Sequence, residues 1–270
     1  MKVPITQRIW GYGGASAAAL FAVWMLGFPD LVPEYFAWDV QPRMAQAFIG
    51  AGYVFRTAFF LAVARESNWL RLRWIVWGNL VFTGTLLLAT YWHADQFNWN
   101  PLQTPFGHIW IILYIVEPVT MPYLLPRGIR ATEAPGTGGP LLPWFRRGLI
   151  AIASLLLLHG LLLVINPEFA ALRWPWELNP LDARMVAAWV LGWSAWTATM
   201  AFATDWDEIR LPARLFVLNG VALAAAVAVF RDGFLPGRGT VTSFVIGIGV
   251  LVAIMAGGHW LQERRRPGTA

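Results

Sequence analysis

Eight apolar runs of about twenty residues alternate with short polar stretches, at 9–28, 43–64, 72–92, 106–125, 146–166, 184–204, 212–231 and 241–261. A helix of about 20 mostly apolar residues is long enough to cross the hydrocarbon core of a bilayer. Each run therefore predicts one spanning helix. The first follows Lys2 and Arg8, and no small-residue cleavage site comes after it. It reads as a retained anchor, not a removed signal. The longest polar interruption runs from Arg127 to Arg147 and contains Ala134-Pro135-Gly136-Thr137-Gly138-Gly139-Pro140. Proline and glycine at this density oppose both helix and strand, so the piece predicts a flexible linker. The expected organisation is a first four-helix unit over 1–130, a linker over 131–145 and a second four-helix unit over 146–270.

The two units share a motif between their first and second runs. Trp38-Asp39-Val40-Gln41-Pro42-Arg43-Met44 returns, with a three-residue insertion, as Trp176-Glu177-Leu178-Asn179-Pro180 and then Arg184-Met185. From Arg43 and Arg184 onward an offset of 141 also matches Met44 with Met185, Glu66 with Asp207, Leu70 with Leu211 and Arg73 with Arg214. Asp95-Gln96-Phe97 resembles Asp232-Gly233-Phe234 after a short gap. Four spans per unit bring the second unit into the membrane from the same side as the first. The expected fold is an all-α polytopic membrane protein of eight transmembrane helices, arranged as two tandem parallel four-helix repeats. Within the motif, tryptophan suits the membrane interface, proline a helix start and the acid the positive end of the following helix.

Composition agrees with a bilayer environment. The chain is 57% hydrophobic and only 13% charged, with a mean hydropathy of +0.53. Its net charge of +5 does not call for a nucleic acid, because the basic residues gather at the ends of the runs. Alternate loops hold fourteen and five of the lysines and arginines near the runs, the larger group including Lys2, Arg8, Arg71, Arg73, Arg130 and Arg264. The positive-inside rule then places both termini in the cytoplasm and the two tryptophan corners outside, in a plasma membrane. The expected partners are the lipid bilayer and a membrane protein or a second copy of the chain. The absence of cysteine excludes disulfides, thiolate metal sites and cysteine nucleophiles.

Candidate chemistry is sparse. Arg56 and Glu117 lie midway along the second and fourth runs. Charges in hydrocarbon are costly enough that they are expected to pair, and to mark a site. Pro118 and Pro122 are expected to disturb the helix beside Glu117. With Trp77, Trp193, Asp39 and Glu177, these two residues form the candidate substrate-binding set; the Arg56–Glu117 pair belongs to the first repeat alone, since Thr197 stands at its offset in the second, whereas a carrier's cavity is expected between the repeats. His93, Asp95 and His108 flank one outer loop and form a candidate metal set, although no His-x-x-x-His spacing supports it. His159 and His259 stand at different depths, which argues against bis-histidine haem, and no cofactor is expected. No phosphate-binding loop, dinucleotide fingerprint or nucleophile elbow occurs. Three functions remain: a non-catalytic accessory or assembly subunit, a carrier or channel for an apolar or weakly polar small molecule, and a membrane-embedded enzyme or metal protein using the outer histidines.

Overall fold

The computed structural model describes residues 3–129, 134, 136–237 and 239–266. Among these the regular structure is all helical. Eight long helices coincide with the eight apolar runs: α1 (Ile5–Gly27), α2 (Arg43–Arg65), α3 (Trp74–Trp92), α4 (Pro105–Ile129), α5 (Pro143–Ile165), α6 (Pro180–Ala201), α7 (Trp206–Val229) and α8 (Gly239–Arg264). Five of them, α1, α2, α5, α7 and α8, are long and apolar enough to cross a membrane. Helix α6 is rich in Ala, Trp, Ser and Thr, and almost all of it is buried against other helices instead of facing outward.

The main contacts pair α1 with α2, α5 with α6, α3 with α6, α2 with α7, α3 with α4 and α7 with α8. Lighter contacts join α1 to α4 and α5 to α8. The seam where α2 and α3 meet α6 is closed by aromatic rings. Phe82 of α3 lies 4.4 Å from Trp189 of α6, and Phe55 of α2 lies 5.2 Å from Trp196. A Cβ on Gly78 would collide with the Trp196 ring, and one on Gly52 with the Trp189 ring. Glycine at these two positions is what lets the helices approach so closely.

The two tryptophan corners sit at one end of the bundle and are built alike. Asn98 donates to the carbonyl of Ala37, and Leu235 to that of Pro175, each acceptor standing just before the corner tryptophan. Trp38 packs on Phe97 at 5.3 Å and Trp176 on Phe234 at 6.1 Å. Both indoles are buried, which corrects the expectation of interfacial anchors: each ring fills an aromatic cluster under its corner. Pro180 opens α6 behind an Asn179 cap, whose Oδ1 accepts from the Asp182 N–H at 2.8 Å. Pro42 precedes α2 without a side-chain cap, and Gln41 bonds instead to Asp39.

The opposite end carries the ion pairs Arg73–Glu208, Arg210–Glu263 and Arg266–Asp207. The expected flexible linker is pinned here over its described part. Thr137 donates through its N–H and hydroxyl to Asp207, Gly138 and Gly139 donate to Asp205, and Leu142 donates to Gln262. Unpaired glycine N–H groups suit carboxylates at a helix start, and that pairing holds the segment down. Linker residues 131–133 and 135, together with Lys2, Arg130 and Arg238 from the charge count, lie outside the described residues.

Candidate functional site

Arg56 projects from the middle of α2, thirteen residues past Arg43, or about 20 Å along the helix. It is 1% exposed. A bare guanidinium at that depth would be prohibitive, and three elements compensate it. Glu117 of α4 accepts from Nη2 at both carboxylate oxygens, and Asn79 of α3 accepts from Nη1. The Asn79 amide in turn donates to Glu117 at 3.3 Å. The rings of Phe60 and Phe82 lie 4.7 and 4.8 Å from the guanidinium carbon, so its faces meet π clouds where its edges meet oxygen. Helix α4 is continuous from Pro105 to Ile129, so Pro118 and Pro122 do not end it as a helix.

A second polar group adjoins the first. Trp110 donates to the Tyr53 hydroxyl at 2.5 Å, and the Tyr53 and Tyr114 hydroxyls are 2.7 Å apart. Tyr53, Tyr114, Arg56 and Glu117 line one cleft with Gly14, Ala17, Ala18 and Phe21 of α1, Phe60 of α2 and Leu113 of α4. It leaves about 20 Å³ for the centre of a water-sized atom. That is room for roughly one water molecule.

The cleft is framed by antiparallel helices that touch at two levels. Trp10 of α1 donates to Thr120 of α4 at 3.2 Å, and Trp24 of α1 packs on Phe106 of α4 at 4.6 Å. Between those clamps, α1 presents glycine and alanine to Leu113 and Glu117. Gly14, Ala17 and Leu113 are partly exposed, so the window opens on the outer surface of the bundle, where a bilayer would lie.

Of the expected substrate-binding residues, Arg56 and Glu117 meet. The others stand apart from them. Trp77 is 65% exposed on the outside of α3, and Trp193 is buried at the seam beside Phe48. Asp39 and Glu177 are exposed at the two corners. The aromatic seam leaves the cleft inside the first unit, not between the units. Asn79, Tyr53 and Tyr114 were absent from the sequence-derived set. An amide and two phenols inside apolar runs carry no charge signal, although Gly78-Asn79 does face the reversed Asn219-Gly220 in the second unit.

The expected metal set does not assemble. Arg184 donates to His93 Nε2 at 2.6 Å, and His93 Nδ1 lies 3.1 Å from the Gln96 amide. An arginine can only donate, so His93 is held neutral with Nε2 as acceptor. Burial first, and the Arg184 charge second, lower its pKa from the ordinary value. Asp95 is exposed, and the ring nitrogens of His108 face the carbonyls of Thr104 and Trp99 at 2.9 and 3.2 Å. Among the described residues no group of three or more His, Asp or Glu side chains could hold a metal ion.

No protein-family model, no curated protein and no solved structure matches this chain.

Proposed function

We propose that this chain is an eight-span plasma-membrane protein of two tandem parallel repeats, both termini cytoplasmic, and that its first repeat binds a small lipophilic molecule taken sideways from the bilayer. The observation that carries this reading is the mid-helix Arg56–Asn79–Glu117 cluster opening through the α1/α4 window. Charges at that depth are expensive, and they characteristically face an interior path or a binding cavity.

The repeat is supported by the packing plan. Exchanging α1 to α4 with α5 to α8 maps each main helix pair onto another main pair. The paired backbone bonds at the two corners follow the same exchange. The site itself does not repeat. Thr197 stands where the offset of 141 would put an arginine. The second repeat therefore serves as the wall against which the first is held.

The test is extraction of the purified full-length protein with organic solvent, followed by mass spectrometry. A neutral lipophile present near one per chain, and lost in Ala17→Leu with the helical signal intact, supports the reading. A wild-type protein that carries none and takes up none contradicts it.

A second reading, an accessory or assembly subunit, is favoured by the outward face of α5. Leu155, Leu158 and Ile165 are 58, 64 and 75% exposed there. His159 is exposed among them, and among the described residues only its Nδ1 is bonded, to the Leu155 carbonyl at 2.8 Å. An imidazole nitrogen facing hydrocarbon gains from a partner helix that offers a hydrogen bond. If that is its role, His159→Leu shifts the mass of the detergent-solubilised complex to that of a single chain.

A further inference from the structure

The α1/α4 window has a donor surplus that defines what it would bind, and this inference rests on the binding role proposed above. Two phenolic hydrogens, on Tyr53 and Tyr114, share a single hydroxyl–hydroxyl contact. Trp110 already donates to the Tyr53 oxygen, so one O–H of the pair is left without an acceptor among the described residues. Both tyrosines are 3% exposed and line the cleft. Arg56 uses Nη2 on Glu117 and Nη1 once on Asn79. Its Nε–H and second Nη1–H have no acceptor among the described residues. The acceptors of the cluster are engaged: Glu117 takes bonds from Arg56 at both oxygens and from Asn79, and the Asn79 oxygen takes one from Arg56.

Charge balance narrows the class. Glu117 already offsets Arg56, so an anion would crowd the carboxylate and a cation the guanidinium. Only a neutral group enters without uncovering a charge. Size narrows it again. The polar end has room for one atom the size of a water oxygen, whereas the approach to it, past Gly14, Ala17, Phe21, Phe60 and Leu113, is apolar.

We infer that the window takes a neutral lipophilic carbonyl compound, its single oxygen seated among Tyr53, Tyr114 and Arg56 and its apolar body lying between α1 and α4 toward the bilayer. The carbonyl oxygen occupies the volume that one water molecule fills in its absence, and accepts the spare phenolic and guanidinium hydrogens.

The experiment titrates the purified full chain in lipid nanodiscs with two probes of equal tail length, a decyl-substituted benzoquinone and decylbenzene. Empty nanodiscs correct for partitioning, and the infrared carbonyl band of the quinone is recorded. The expected result is a carbonyl band shifted to lower frequency in the protein, and binding of the quinone roughly tenfold or more tighter than the hydrocarbon, since spare buried donors reject a ligand that cannot accept. Tyr114→Phe removes both the shift and most of the preference, with helical content and melting temperature as the control for folding. A reserve variant, Tyr53→Phe, serves if Tyr114→Phe does not fold. Equal affinity for both probes overturns the carbonyl assignment and leaves an apolar window in place. Binding of neither overturns the assignment and the proposed function together.

Discussion

Arg56 and Glu117 were legible from sequence because a charge in hydrocarbon must find its opposite, and only one acid lay at a comparable depth. What the sequence withheld was the rest of the cluster. Tyr53, Tyr114 and Trp110 are indistinguishable from packing residues until a hydroxyl is seen to bond. Breaking a buried ion pair leaves one charge uncompensated. Glu117→Gln should therefore lower unfolding stability in detergent by about 3–5 kcal/mol, while Arg56→Met combined with Glu117→Leu should recover most of that loss. Equal losses in the single and double variants would show that the pair is not the source. His93 supplies a pH effect outside the spans. Its pKa is lowered in the folded chain, so the unfolded chain binds more protons as pH falls below the ordinary value of 6.5. The stability it contributes is present above that value and declines as pH falls through the lowered one. Thermal melts between neutral and mildly acidic pH should show this slope in the wild type and a flatter one in His93→Gln.

At the level of elements, the run boundaries and the doubled corner carried most of the information. Glycine and alanine on α1 suit close helix packing, and part of that face is packed so: a Cβ on Gly11 would strike Ala64 of α2. Three residues further on the same stripe becomes a window, and nothing in small residues alone separates the two outcomes. The closed seam was equally hidden, because Phe82, Trp189 and Trp196 look like any apolar positions. Gly78→Ala should push the Trp196 ring out of place and cost about 1–3 kcal/mol, read by unfolding in detergent. The two corners differ in the bonding of their indoles. Trp38 Nε1 donates to Asp182 at 2.9 Å, whereas Trp176 Nε1 has no partner among the described residues. Trp38→Phe and Trp176→Phe lose the same ring area, but only the first loses a bond to a carboxylate. It should be the more costly by about 1.5–3 kcal/mol.

The whole molecule is a bundle of eight packed helices whose two corners share one end and whose ion pairs Arg73–Glu208, Arg210–Glu263 and Arg266–Asp207 stand at the other. Apolar run length gave the helices. It could not give which helices touch, because an apolar face is equally suited to lipid, a neighbour or a partner. The two corners share an end, and the polar cluster joins α2, α3 and α4, within the first half where Arg56 and Glu117 were expected to pair. The central claim, that the units run parallel with both corners outside, can be measured directly because the chain has no cysteine of its own. Single cysteines placed at Asp39, Glu177, Ser67 and Thr204 in intact cells report their side through a membrane-impermeant maleimide. The account predicts labelling of Asp39→Cys and Glu177→Cys from outside, and of Ser67→Cys and Thr204→Cys only after the cells are opened. Labelling of Asp39→Cys and Glu177→Cys from opposite sides would contradict it.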